Sequence, residues 1–145
     1  MFRGRYSHSI DTKGRVSIPS PFRDILITSY EETLVITNFD KCLVAFPLQE
    51  WAAVEARTRE LSMLQKDVRA FIRYFYSGAV ECRIDKQGRV LVPPNLREFA
   101  RIDKEVMLVG AVNRIELWGK EVWDEYLHSE ADFESIAAKL SDFGI

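Results

Sequence analysis

The feature that most constrains the fold of this chain is a 13-residue motif that occurs twice. The stretch "DTKGRVSIPSPFR" covers residues 11–23 and "DKQGRVLVPPNLR" covers residues 85–97, with six of the 13 paired positions identical. Similar short segments follow both copies in the same order. The repeat therefore predicts two pseudo-symmetric halves, residues 1–76 and 77–145, that form one integrated globular unit.

The first copy has the pattern of a β-hairpin. Apolar and polar residues alternate over residues 6–10, as in a half-buried strand. Asp11 can then accept bonds from the downstream backbone, and Gly14 can adopt the positive φ that a tight turn requires. Alternation resumes over residues 16–18 before two prolines end the strand. We expect a hairpin with Arg15 just past its turn.

The second copy repeats this scheme. Strand-like segments at residues 80–84 and 90–92 flank a turn that begins at Asp85 and contains Gly88. Arg89 follows this turn, as Arg15 follows the first. An aspartate four residues before each arginine allows an ion pair that braces the turn, and we favour this structural role for Arg89 over a role in binding.

The segments after the motifs predict an α+β fold. Each half continues with a short amphipathic helix, an apolar β-hairpin and a helix that carries a tryptophan. The predicted segments are short helices at 22–26 and 96–100, strands at 33–37, 42–46, 105–111 and 114–118, a helix over about 48–76 with a break near Ser62, and an acidic helix over 132–143. The aromatic run "FIRYFY" at 71–76 has helical spacing, which favours core or subunit interface over base stacking.

The sequence offers no catalytic or metal-binding pattern. His8 and His128 lack partners at useful spacing, and the lone Cys42 and Cys82 do not form a metal-ligand pair. Hydrolase, metalloprotease, P-loop and dinucleotide-binding motifs are absent from the sequence. We therefore expect no enzyme activity, no metal and no cofactor. The lack of a long apolar run and of a signal peptide predicts a cytoplasmic protein without a small-molecule ligand or a membrane partner.

The charge distribution indicates a polyanion-binding face. The chain has a net charge of −2, yet residues 1–23 carry +4 and residues 120–145 carry −5. A basic head and an acidic tail can also be two ordinary solvated surfaces, and charge alone leaves both interpretations open.

The two copies of the motif differ in their surroundings, and the difference favours the first as the DNA-binding element. Arg3 and Arg5 precede the first copy, Lys13 lies in its turn, and small serines flank it. In the second copy Gln87 replaces that lysine. Arginines beside small polar residues suit a close approach to phosphates, and a two-stranded ribbon fits the major groove. Arg3, Arg5, Lys13 and Arg15 are the predicted DNA-binding residues.

The stretches "MFRGRY", "DTKGRVSIP", "DKQGRVLVPPNLR" and "EVMLVGAVNRIELW" closely resemble MraZ, a family of bacterial regulators encoded at the head of the division and cell-wall gene cluster. The resemblance implies a swapped-hairpin, AbrB-like barrel with peripheral helices, assembled into a ring-shaped homo-oligomer such as an octamer. It also implies a nucleoid-associated transcription factor, usually a repressor, that binds direct repeats upstream of its own operon. The family's DNA-contacting positions match Arg3, Lys13 and Arg15.

Two other functions stay open at the level of the sequence. A ring that scaffolds division or nucleoid proteins would keep the repeat and the helices but would need no basic first hairpin. Binding of RNA is also compatible with arginines, although a rigid ribbon suits the wide major groove of DNA better.

Overall fold

The computed structural model describes residues 1–129 and 133–144, and its elements follow the predicted order. The elements are β1 Arg5–Ser9, β2 Arg15–Ser17, α1 Ser20–Ser29, β3 Thr33–Phe39, β4 Cys42–Pro47, α2 Leu48–Arg59, α3 Lys66–Ser77, β5 Val80–Arg83, β6 Arg89–Leu91, α4 Pro94–Phe99, β7 Glu105–Gly110, β8 Ile115–Gly119, α5 Lys120–Ser129, α6 Phe133–Lys139 and a 3-10 turn Ser141–Phe143. The α+β class is confirmed, and so is the break between α2 and α3. Of the predicted tail helix, Asp132 lies outside the described residues.

The strands form an antiparallel six-stranded sheet and a separate two-stranded ribbon. The order in the sheet is β1-β7-β8-β4-β3-β5, and the ribbon consists of β2 and β6. Exchanging the equivalent strands of the two halves reverses the sheet order and leaves it unchanged. The fold therefore has a pseudo-two-fold axis that runs between β8 and β4 and through the ribbon.

The prediction that the two strands of each motif pair with each other in a β-hairpin is wrong. β1 pairs with β7 of the other half over five residues, and β5 pairs with β3 in the equivalent way. Of the first predicted hairpin, the turn remains, with the bridge between Ile10 and Val16 and the bond from the Asp11 N–H to the Arg15 carbonyl at 3.0 Å. The short β2 could offer β1 only three partners, whereas β7 supplies a longer ladder of hydrogen bonds.

The two halves are interleaved at the motif. β2 pairs with β6, and each of these strands ends against the opposite turn: the Ile18 N–H donates to the Gly88 carbonyl, and the Val92 N–H donates to the Gly14 carbonyl, both at 2.8 Å. The closed barrel implied by the family resemblance is not confirmed. Within the described residues β1 and β5 are the two edges of the sheet and do not pair with each other.

Alternating side chains divide the interior into two cores on opposite faces of the sheet. Along β4, Leu43 and Ala45 face the ribbon, α1 and α4, whereas Val44 and Phe46 face α2, α3 and α5. The aromatic run of α3 lies in the second core, where the ring of Phe75 stacks on that of Trp51 at 5.4 Å. The helices α2, α3 and α5 consequently lie on the side of the sheet opposite the ribbon.

Candidate nucleic-acid interface

The ribbon presents one outward surface that contains residues from both halves. Its three pairs are Arg15 with Leu91, Val16 with Val90, and Ser17 with Arg89. The valines are buried, while Ser17 and Leu91 are exposed and the two arginines are half-buried. Because side chains alternate between the faces of a strand, both arginines lie on the same side, opposite the core. We call Arg15, Ser17, Arg89 and Leu91 the ribbon surface.

The first turn is organised by the Asp11 carboxylate. It accepts hydrogen bonds from the backbone N–H of Lys13 at 3.0 Å, from the backbone N–H of Arg15 at 2.9 Å, and from Arg15 Nε at 2.7 Å. These bonds, with that of the Arg15 N–H the largest cause, hold the pKa of Asp11 below its usual value. Gly14 has a φ of +90° in this turn, as predicted.

The second turn has the same geometry. The Asp85 carboxylate accepts bonds from the backbone N–H of Gln87 and of Arg89, both at 2.9 Å, and from Arg89 Nε at 3.1 Å. The Arg89 N–H is the main cause that lowers the pKa of Asp85. The ion pair that we predicted mainly for Arg89 is therefore present at both turns.

The ion pair uses only part of the hydrogen-bonding capacity of each arginine. A guanidinium has five N–H donors, and the bond to the aspartate uses only the one on Nε. In the described part of the chain, the Nη groups of Arg15 and Arg89 make no hydrogen bond. Each arginine can therefore brace its turn through Nε and still donate to a ligand through Nη.

Each turn is closed by an arginine from the opposite half. A β-carbon on Gly14 would lie 2.8 Å from the guanidinium carbon of Arg97, and one on Gly88 would lie 2.8 Å from a terminal nitrogen of Arg23. The reasoning from the sequence gave Arg23 and Arg97 no role. Their identity in the last position of the repeated motif was the signal, since a repeated residue outside the turn points to a contact that both halves share.

The first strand carries exposed polar and basic residues on the face of the sheet opposite the ribbon. Arg5, Ser7 and Ser9 are exposed on one face of β1, and His8 on the other face donates from Nδ1 to the Ser17 carbonyl at 2.7 Å. This bond joins β1 to the ribbon and gives His8 a structural role. At about 3.3 Å per residue, Arg5 lies about 20 Å along the chain from the turn that contains Lys13.

The surroundings of the second turn are more basic than the sequence comparison indicated. A groove beside this turn is lined by Arg23, Arg83 and Lys86 together with the carboxylates of Glu32 and Asp85. The sequence comparison, in which Gln87 replaces Lys13, favoured the first copy as the DNA-binding element. The nearer cations at positions 83 and 86 were overlooked in that comparison.

The two cysteines lie in the interior of the protein. Both cysteines are buried, and burial raises the pKa of the Cys82 thiol to about 11 and that of Cys42 further above its ordinary value. Within residues 1–129 and 133–144, no group of three or more histidine, cysteine, aspartate or glutamate side chains is placed to hold a metal ion. No helix in those ranges has the length and apolar character needed to cross a membrane.

Two interleaved copies of one α+β half, with the ribbon surface on one side of the sheet and α2, α3 and α5 on the other, define a duplicated-domain protein. The chain belongs to the MraZ family. The family model described as "MraZ protein, putative antitoxin-like" matches residues 1–74 and again residues 75–144, which is nearly the whole chain.

Curated relatives agree with this assignment. A protein named "Transcriptional regulator MraZ" from Thermoanaerobacter sp. (strain X514) is 48% identical over 100% of both chains. The protein of the same name from Moorella thermoacetica is 46% identical over 100% of both chains. Among solved structures, "The solution structure of PHS018 from pyrococcus horikoshii" aligns with a TM-score of 0.33 and 15% identity, covering 82% of this chain and 92% of that one. That similarity is too weak to carry an argument.

Proposed function

We propose that this protein is a sequence-specific DNA-binding transcription regulator. In this proposal it represses the division and cell-wall gene cluster by binding direct repeats upstream of its own operon as a ring-shaped homo-oligomer. The observation that carries the proposal is the ribbon surface, where Arg15 has free Nη donors beside the exposed Lys13. The names of the curated relatives support the same function.

The dimensions of the basic surface divide its residues between two kinds of contact. The major groove of B-DNA is about 12 Å wide, which admits a two-stranded ribbon. Arg5 lies about 20 Å along the chain from the first turn and on the face of the sheet opposite the ribbon, so it does not approach the groove floor together with Lys13 and Arg15. We therefore assign Lys13 and Arg15 to the groove, where arginine can bind guanine through two hydrogen bonds, and Arg3 and Arg5 to phosphates.

Assembly compensates for the small interface of one copy. A single copy with four DNA-binding cations, Arg3, Arg5, Lys13 and Arg15, provides few phosphate contacts, and the chain as a whole is negative. Several ribbons on one ring that meet regularly spaced repeats bind together through a high effective concentration. A variant that cannot assemble is expected to lose operator binding while it keeps its fold.

The decisive experiment compares Arg15→Ala with Arg89→Ala, because both arginines have the same aspartate bond and share the ribbon surface. Binding is measured by fluorescence anisotropy on the DNA upstream of the gene, with circular dichroism and light scattering as controls for fold and assembly. A scrambled DNA of equal length reports non-specific binding.

We expect Arg15→Ala to weaken specific binding by about 1–3 kcal/mol, the value of a good base contact, while Arg89→Ala binds nearly as the unmodified protein does. Equal losses with intact assemblies would show that both halves contact DNA. This result would contradict the assignment of DNA binding to the first copy of the motif and of a structural role to Arg89. Equal affinity of the unmodified protein for operator and scrambled DNA would refute the sequence-specific function.

A further inference from the structure

The C-terminal helix has an apolar face that residues 1–129 and 133–144 do not bury. Phe133, Ile136, Ala137 and Leu140 recur at spacings of three and four residues and so lie on one side of α6 and its extension. The exposed fraction is 74% for Phe133, 41% for Ile136 and 40% for Leu140. No residue of α6 is buried. We call these four residues the α6 stripe.

A groove that could receive such a stripe lies on the helix side of the sheet. Its apolar floor includes Phe39, Val54 and Phe71, and Arg57 and Arg114 are at its rim. The cavity has a volume of about 170 Å³, which is below the roughly 300–1,000 Å³ of small-molecule sites. The groove therefore suits a protruding side chain better than a small ligand. We call these five residues the aromatic groove.

The charges of the helix and of the groove are complementary. Residues 130–145 contain four carboxylates and one lysine, whereas Arg57 and Arg114 line the aromatic groove, and Arg114 also pairs with Glu116 at 3.5 Å. Nε of Arg114 is buried and has no hydrogen-bond partner in the described part of the chain. The Arg114 guanidinium also lies over the Phe39 ring at 5.7 Å, so that it holds one wall of the groove. An acidic amphipathic helix matches this combination of apolar floor and basic rim.

We propose that the α6 stripe of one copy of this chain docks into the aromatic groove of a second copy. This inference deepens the proposed function, on whose assembly it rests. A helix on one copy and a groove on the next form a head-to-tail contact, which closes into a ring when the rotation between copies allows it. The groove lies on the face of the sheet opposite the ribbon, so this contact leaves the ribbon surface free for DNA.

The first arm of the test compares two charge insertions on the same helix. Ile136→Glu places a carboxylate in the α6 stripe, while Ala138→Glu places the same charge on another side of α6. Neither residue is buried, so both variants should keep the fold, as checked by tryptophan fluorescence and circular dichroism. We expect Ile136→Glu to weaken association at least about tenfold in sedimentation, because the interface would bury an unpaired charge, and Ala138→Glu to assemble normally.

The second arm identifies the docking partner. Phe133 is replaced by photoreactive benzoylphenylalanine in full-length protein, and ¹⁴N- and ¹⁵N-labelled protein are mixed before irradiation. The inference requires mixed-isotope cross-links to peptides that contain Phe39, Val54 or Phe71. Cross-links within one copy, or between copies at another surface such as the exposed Leu64, would overturn it.

The outcomes separate this inference from the proposed function. Normal assembly of Ile136→Glu, with operator binding intact, would refute the docking contact and leave the DNA-binding function standing. A wild-type protein that stays monomeric at all concentrations would refute both the docking contact and the proposed ring.

Discussion

The strongest structural prediction concerns the interleaving of the two halves at Gly14. In the Gly14→Ala variant the new methyl group meets two obstacles. The backbone has a φ of +90°, a left-handed conformation that costs an alanine about 1–2 kcal/mol. The β-carbon would also lie 2.8 Å from the guanidinium carbon of Arg97. That side chain must move and give up its Nε bond to the Val92 carbonyl at 3.0 Å, which is worth about 0.5–1.5 kcal/mol.

These two costs add to a loss of about 1.5–3.5 kcal/mol in the free energy of unfolding for Gly14→Ala. In an Arg97→Ala background the second cost disappears, and the same substitution should cost only about 1–2 kcal/mol. Urea denaturation followed by tryptophan fluorescence measures all four proteins at one protein concentration, since the proposed assembly would make stability depend on concentration. The four proteins form a double-mutant cycle. It measures the contact between the halves as a coupling energy of about 1 kcal/mol.

Additive effects of Gly14→Ala and Arg97→Ala on the free energy of unfolding would refute this reasoning. If Gly14→Ala costs the same in both backgrounds within about 0.3–0.5 kcal/mol, Arg97 does not close the turn in solution. The equivalent cycle of Gly88→Ala with Arg23→Ala is the internal control, because Gly88 has a φ of +78° and the same 2.8 Å approach. Pseudo-symmetry requires both cycles to show coupling of the same sign.

Two further predictions follow from the electrostatics of the turns and the edge strand. The pKa of Asp85 is lowered in the folded state, so its bonds stabilise the protein above the ordinary carboxyl range and are lost as the pH falls through the lowered pKa. The difference in melting temperature between wild type and Asp85→Asn should thus shrink as the pH is lowered from 7 to below 4, and a constant difference would contradict it. For DNA binding, Arg5→Ala should make the slope of log K against log salt less steep by about 0.9 if Arg5 neutralises one phosphate, and an unchanged slope would exclude that contact.

The sequence was sufficient to predict the elements and their order. Short apolar runs located β3, β4, β7 and β8 to within two residues, because a core covers both faces of these strands and the pattern is local. The turn chemistry at Asp11 and Asp85 was also predictable, since an aspartate, a glycine and an arginine at fixed spacing interact within five residues. These features depend on near neighbours in the chain.

Pairing between the halves could not be predicted in the same way. The alternation of residues 6–10 is satisfied equally by β2 or by β7 as partner, and the choice depends on the length of a strand almost 100 residues away. The contacts of Arg97 with the first turn and of Arg23 with the second also join residues far apart in the chain, so they could not be predicted either. For the candidate site, the sequence indicated which cations are exposed, but only the ribbon register shows that Arg15 and Arg89 share one surface.

The interleaving has a consequence for each half expressed alone. In a fragment of residues 1–76, β1 loses its five partners on β7 and β2 loses all three partners on β6. Val16 and Phe22, which are fully buried in the intact chain, would then face water.

We therefore propose that the chain folds as one cooperative unit and that the 1–76 fragment has no folded monomer. The fragment should either be unfolded by circular dichroism or form a dimer in which a second copy supplies the missing strands, because the two halves have equivalent topology. Mixing it with a 77–145 fragment should restore a one-to-one complex. A folded monomer of 1–76 in light scattering would show that the motif can close on itself as a hairpin, and the interleaved pairing would then be a choice between two folds of similar stability.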